Sequence, residues 1–329
     1  MDDVATAAGV SRALVSLVMR GSPKVSPERR AAVLAAADEL GYRPNVLARN
    51  LASGRTRTVG VIIDDLHNPY FADVVEGAED RAAANDYRLL INAGWRRVDA
   101  EQQAIETMLE FRTDGMILAG PRLEDHLIEA AARSVPVVAV GRAVDSSIVD
   151  TVNNDEIAGS RLVIEHLVDL GHRRIVHLDG GHGAGADTRR LGYEQAMSEA
   201  GLADQIRVVG GDFTEISGVA AAREVLSWAE GERPTAVFAA NDLMAAGALD
   251  TLEEAGLVVP DDVSIVGYDN TALAAMQHMS LSTVHQPRHE MGRLAMAALI
   301  DRFEGRRTEA CHIVLAPELV ARRTSGPIR

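Results

Sequence analysis

From Val59 onward the chain alternates short apolar runs with longer amphipathic stretches. The first series of runs is VGVIID (59–64), YRLLINAG (87–94), GMILAG (115–120) and VPVVAVG (135–141), with helical patterns near 71–85, 99–112 and 123–133 between them. The second series is RRIVHLDG (173–180), IRVVGGD (206–212), TAVFAAND (235–242) and VSIVGYDN (263–270), with helical patterns near 155–170, 188–201, 216–230 and 241–256. Strand–helix alternation of this kind predicts parallel sheets covered on both faces, and two series predict two similar lobes. Open parallel sheets bind ligands at the carboxyl ends of their strands, so a cleft between facing lobes is the expected place for a small molecule.

The first 58 residues follow a different pattern. Asp2 to Ala8 reads as a short helix closed by Gly9, and Ser11 caps a second helix running to Met19 or Arg20. Ser26-Pro27-Glu28 starts a third, whose apolar stripe is Val33, Leu34, Ala37 and Leu40 and whose end is Gly41. Two short helices joined by a turn, with a third packed behind, form a helix-turn-helix pattern. In the second helix Val15, Val18 and Met19 share one face, while Arg12, Ser16 and Arg20 form a polar row on the other, flanked by Ala13 and Leu17. That row suits either a solvated face of a small bundle or a face that enters a DNA major groove, with Arg12 toward a guanine edge and Ser16 and Arg20 toward phosphates.

Charge separates the same two regions. The 329-residue chain has a net charge of −15, yet residues 1–58 hold nine Lys/Arg against five Asp/Glu, so a basic head precedes an acidic body. Such asymmetry fits local contact with a polyanion rather than binding over the whole surface. No apolar run approaches the roughly 20 residues of a membrane helix. The acidic N-terminus has no basic, apolar signal segment and Cys311 is the single cysteine, so a reducing cytoplasm is expected and no internal disulfide is possible.

The stretch DVATAAGVSRALVSLVMRG, followed by VSPERRAAVLAAADELGYRPNVLARNLASGRTRTVGVI, resembles the headpiece and hinge of the LacI/GalR family of bacterial transcription regulators, and the likeness continues along essentially the whole chain. The resemblance implies an α/β fold: an N-terminal helix-turn-helix headpiece (1–44), a hinge helix and linker (45–58), and a two-lobed periplasmic-binding-protein-like core with two doubly wound parallel sheets. Its N-subdomain would be 59–152 plus 283–312, and its C-subdomain 153–282 plus 313–329. It also implies a homodimer on near-palindromic double-stranded operator DNA. Ser11, Arg12, Ala13, Ser16, Leu17 and Arg20 would then face DNA, with Asn45, Arg49 and Leu51 in the hinge. Leu51 would wedge into the central base step, gaining a bent, wrapped duplex at the cost of unstacking. Relatives often place Arg or another polar residue where this chain has Leu17, so base preference there is expected to differ. The C-terminal ELVARRTSGPIR lacks apolar heptads, so a dimer is expected rather than the tetramer of some relatives.

For the effector, the resemblance and the strand-end positions select Tyr70, Phe71, Trp95, Arg142, Arg189, Phe213, Asn241, Asp242 and Asp269. Aromatic faces with one Arg and several amide or carboxylate groups suit a flat polar ligand, a sugar first, with a nucleoside or other polar metabolite as alternatives. Asn241 and Asp242 also fit plain capping of the next helix, and Phe71 also fits the core. GGHGAG (180–185) follows a strand without a phosphate-cradling Lys and reads as a loop at the cleft rim. There is no Gly-x-Ser-x-Gly, CxxC or HExxH, and Pro287 separates His285 from His289. No catalytic residue, metal site or cofactor is therefore expected, and no membrane contact.

Overall fold

The computed structural model describes residues 1–19, 22–42 and 55–328. It divides into two units, Met1–Thr56 and Arg57–Arg329, and each is considered by itself.

In the smaller unit, α1 (Asp2–Ala7) and α2 (Arg12–Met19) are joined through Gly9, whose φ of +63° is the left-handed conformation a glycine adopts without a steric penalty. Ser11 accepts a hydrogen bond from the Leu14 amide at 3.2 Å, giving α2 its cap. Pro27 opens α3 (Pro27–Glu39). Val4, Val15, Val18, Val25 and Val33 are buried together, with Ala36 and Ala37. The third-helix stripe therefore differs from the expected one: Leu34 and Leu40 are exposed, at 49% and 50%. Leu34 sits about 100° around the helix from Val33, off the buried line through Ala36 and Ala37, and Leu40 is the C-cap residue past the last turn. Met19 and Leu17 are half-buried and pack against the edge of this core.

The larger unit holds two sheets. The first is β1 (Thr58–Ile63), β2 (Arg88–Ala93), β3 (Gly115–Ala119), β4 (Val137–Val140), β5 (Asp150–Asn154) and β11 (His312–Leu315), all parallel, in the order β11-β5-β4-β3-β1-β2. Its helices are α4 (Pro69–Ala83), α5 (Val98–Glu110), α6 (Asp125–Ala132) and α11 (Arg288–Phe303). Both faces are covered: Ile117 and Ala119 point into one apolar cluster, and Met116 and Leu118 into the other. The second sheet is β6 (Ile175–Leu178), β7 (Arg207–Val209), β8 (Ala236–Ala239) and β9 (Ser264–Val266), parallel in the order β7-β6-β8-β9. It carries α7 (Glu156–Asp169), α8 (Ala186–Glu199), α9 (Glu215–Ser227) and α10 (Asp242–Glu254). Here Val176 and Leu178 face one cluster, and Ile175 packs with Tyr193 in the other.

Near the crossings between the lobes, β5 and β11 pair in the first sheet as far as Asn154 and Leu315. β10 (Thr283–His285) pairs antiparallel with β12 (Glu318–Val320); its His285 bridges to Asp269 and the preceding Ser282 to Val266 of the second lobe, before α11 joins the first lobe.

Candidate functional site

At the carboxyl ends of the strands the two lobes flank a cleft of about 550 Å³ including its open mouth, lined from the first lobe by Asp64, Asn68, Tyr70, Phe71 and Arg96 and from the second by Glu156, Arg189, Phe213 and Asp269, with Gln286 from the last crossing. Asn68 caps α4, its Oδ1 accepting from the Tyr70 amide at 3.0 Å, and so fixes Tyr70 and Phe71 in the first helical turn. Both rings are buried and meet edge to face at 5.1 Å. On the opposite wall Phe213 takes a left-handed φ of +67°. Its ring fits where Gly180 and Gly183 have no side chain: a Cβ on either would lie 2.3 or 2.4 Å from the ring. The Gly-rich loop thus clasps the aromatic platform.

Arg189 is buried at 3% exposure. Its Nε and Nη2 donate to Glu156 Oε2 at 2.9 and 2.7 Å, its Nη1 donates to the Ala240 carbonyl, and its guanidinium lies 3.7 Å over the Tyr268 ring. Burial works against its charge, yet Glu156, Tyr268 and Asp269 outweigh burial and hold it more firmly protonated than usual. Burial likewise pushes the Asp269 carboxyl up, with Arg189 only partly opposing. Asp269 Oδ1 accepts from Gln286 Nε2 at 2.6 Å, while Gln286 Oε1 is buried with no partner among the described residues. Asp64 accepts both arms of Arg122, at 2.7 and 3.0 Å, and burial raises its pKa despite that pair.

Across the mouth, Arg96 of the first lobe donates to Asp212 of the second. Burial alone would raise Asp212, but hydrogen bonds involving Thr214, Ser217 and Arg96 hold it down to about 2.

Of the nine positions selected from the sequence, Tyr70, Phe71, Arg189, Phe213 and Asp269 line this cleft. Trp95 is not among the lining residues; it is 52% exposed, with its ring 6.0 Å from His67. Arg142 stands in a neighbouring bay, donating to Asp125 and the Leu123 carbonyl. Asn241 caps α10 through the Met244 amide at 2.9 Å and donates to the Phe213 carbonyl at 3.0 Å, so it supports the platform from behind. Asp242 is buried behind the wall, accepting from Thr271 and Thr283. Asp64, Arg96, Glu156 and Gln286 were not anticipated. Asp64 ends an apolar run and carried a strand-end signal; Glu156 follows the polar strand β5, which gave none, Gln286 lies on a crossing, and Arg96 depends on left-handed φ at Trp95 and Arg96 themselves.

In the small unit Arg12 and Ala13 are exposed along α2, and Arg12 lies 3.6 Å from Asp2 in a solvent-exposed pair. Ser11 caps the helix, and Ser16 and Leu17 are half-buried. Arg20, Asn45, Arg49 and Leu51 lie outside the described residues. Among the described residues no group of His, Cys, Asp or Glu is arranged to hold a metal, and no helix is long and apolar enough to cross a membrane.

Residues 1–45 match the bacterial regulatory proteins of the lacI family, and residues 164–325 match the periplasmic binding protein-like domain. The chain is 36% identical to catabolite control protein A of Priestia megaterium over 98% of both chains. Its fold matches the lac repressor dimer bound to operator and the anti-inducer ONPF, with a TM-score of 0.87, 30% identity and 98% of both chains covered. It also matches the transcriptional regulator CelR in complex with cellobiose, with a TM-score of 0.74, 33% identity and 98% of both chains covered. The chain belongs to the lacI family of bacterial regulatory proteins.

Proposed function

We propose that the chain is a ligand-responsive, sequence-specific DNA-binding repressor, and not an enzyme, whose operator affinity is set by a small polar effector in the interlobe cleft. The observation that carries the reading is the cleft itself: Phe71 and Phe213 on facing walls, with Arg189, Asp269 and Gln286 presenting hydrogen-bonding atoms between them. Aromatic faces stack on the ring of a sugar while charged and amide groups hold its hydroxyls. The CelR–cellobiose complex supports a saccharide, and the lac repressor dimer on operator supports a homodimer on a near-palindrome. In the headpiece, Arg12, Ala13, Ser16 and Leu17 face the bases and backbone, Ser11 and Arg20 flank them, and Asn45, Arg49 and Leu51 act in the hinge. The functional division is headpiece, hinge and two core subdomains, and the setting is the cytoplasm. Ligand binding shifts the balance between two lobe arrangements by differential affinity, which changes the spacing of the two hinges and so the fit to one minor groove.

Fluorescence anisotropy of the full-length protein on a selected near-palindromic duplex tests the reading. Binding is expected to weaken steeply with salt and to change when an effector is added. The absence of sequence-selective binding, or binding indifferent to every cleft ligand, overturns it.

A further inference from the structure

The second lobe carries a hollow at the end away from the interlobe cleft. It spans about 890 Å³ including its open mouth, and its lining includes Arg174, Val176, Arg207, Trp228, Glu232 and Pro234. β6, β7 and β8 run parallel, so a hollow at their amino ends lies a strand length from the cleft at their carboxyl ends. Register decides what faces it. Val176 stands opposite Arg207 in the β6–β7 pair, so their side chains share one face of the sheet. Arg174, two positions before Val176, reaches the same hollow. On this face Val176, Val209, Val237 and Val263 form an apolar layer, and half-buried Trp228 packs against it while also lining the hollow.

The two arginines are held in place without being neutralised. Arg174 Nε donates to the Arg233 carbonyl at 2.9 Å, and Arg207 Nη1 donates to the carbonyls of Asp204 and Ile206 at 3.2 and 2.8 Å. Arg233 in turn donates to the Leu226 and Trp228 carbonyls at 2.6 and 3.1 Å, which fixes the turn after α9 that carries Trp228. Neither Arg174 nor Arg207 is paired with a carboxylate among the described residues, in contrast to Arg142 on Asp125 and Arg189 on Glu156. A guanidinium has five N–H donors, so each of the two keeps donors for an outside acceptor. Glu232 is the single carboxylate on the lining, set against two cations. The charge balance therefore favours an anion, and charge-assisted bonds from arginine are the strong ones for a carboxylate or phosphate. The indole adds an aromatic surface with an apolar backing, which suits a flat ring.

We propose that this hollow is a second small-molecule site, for a planar aromatic anion whose ring lies on Trp228 and whose anionic group sits between Arg174 and Arg207. The inference stands apart from the reading of the interlobe cleft and does not depend on it.

The test is isothermal titration calorimetry and tryptophan fluorescence on the full-length protein. The probes are benzoate and adenosine monophosphate as aromatic anions, benzamide and adenosine as their neutral counterparts, and inorganic phosphate as an anion without a ring. At least one aromatic anion is expected to bind about tenfold tighter than its neutral counterpart and than phosphate. Its binding is expected to change the fluorescence of the parent but not of Trp228→Phe. Arg174→Gln and Arg207→Gln are each expected to weaken it about tenfold, and Glu232→Gln to tighten it a few-fold. All three side chains are exposed, and Glu232→Gln removes no bond within the chain, so it reports on the folded protein even if an arginine variant fails to fold. No binding of either aromatic anion at millimolar concentration overturns the inference. So does a neutral counterpart or phosphate that binds as tightly, or an aromatic anion indifferent to both arginine substitutions and to Glu232→Gln.

Discussion

Arg189 donates two hydrogen bonds to a single oxygen of Glu156, at 2.9 and 2.7 Å, and both side chains are buried. With Nη1 on the Ala240 carbonyl, one carboxylate and one carbonyl orient the guanidinium and leave N–H groups over for a ligand. Removing one partner of such a pair strands a buried charge. Glu156→Ala is expected to destabilise the core unit by about 3 kcal/mol or more, and Glu156→Gln by less, since the amide still accepts a hydrogen bond. Urea unfolding checks the order; equal stability of all three proteins would show that the pair is solvated.

Glu101 predicts a pH dependence. Burial pushes its carboxyl up to about 7, against which the hydrogen bond from the Arg122 amide at 2.9 Å only partly works, and its Oε1 is buried without a partner among the described residues. The folded chain therefore holds a proton that the unfolded chain has lost. This stabilisation is complete below the unfolded value near 4.5 and disappears as pH rises through about 7. Glu101→Gln, which cannot ionise, is expected to flatten the fall in melting temperature between pH 5 and pH 8. An unchanged slope would assign the dependence to other groups.

The Arg96–Asp212 pair ties the lobes across the cleft mouth and is partly exposed, at 28% and 46%. A pair of this exposure contributes about 0.5–1 kcal/mol at most. Arg96→Ala should weaken effector binding by a few-fold, chiefly through faster dissociation, and leave effector-free operator binding unchanged. Stopped-flow release of the effector measures it, and an unaltered dissociation rate contradicts a bridging role.

Leu17 has two sides. It is half-buried against Val15 and Val18 territory, yet sits on the helix face that also carries Ala13 and Ser16. A leucine offers only apolar contact, such as to a thymine methyl, whereas arginine pairs with guanine. Leu17→Arg is expected to move one position of the selected operator toward G·C. A selection profile identical to that of the parent would place Leu17 in packing alone.

Much of this architecture was legible because apolar runs and amphipathic stretches alternate at periods that only strands and helices satisfy. The elements that escaped have weaker patterns. β5 is DTVNN, polar but buried between β4 and β11, and β11 alternates exposed and half-buried residues at the sheet margin. α11 buries Met291, Met296, Leu299, Ile300 and Phe303 together with Gly292, Ala295 and Ala298 around more than one side, so no single apolar stripe stands out. In the cleft, Phe213 and Asp269 follow strands and Arg189, in the first turn of α8, was marked by the family resemblance, whereas Gln286 arrives on a crossing and Arg96 through a left-handed turn. Asn241 and Asp242 have the strand-end position without the exposure, because α10 uses the first as its cap and Thr271 and Thr283 enclose the second.

The central claim is tested most directly by incubating the purified full-length protein with fragmented genomic DNA of its own source and sequencing what it retains, with and without cleft ligands. Enrichment of one near-palindromic motif, lost in high salt and altered by an effector, is the predicted result. Retention without a shared motif, or none at all, would contradict it.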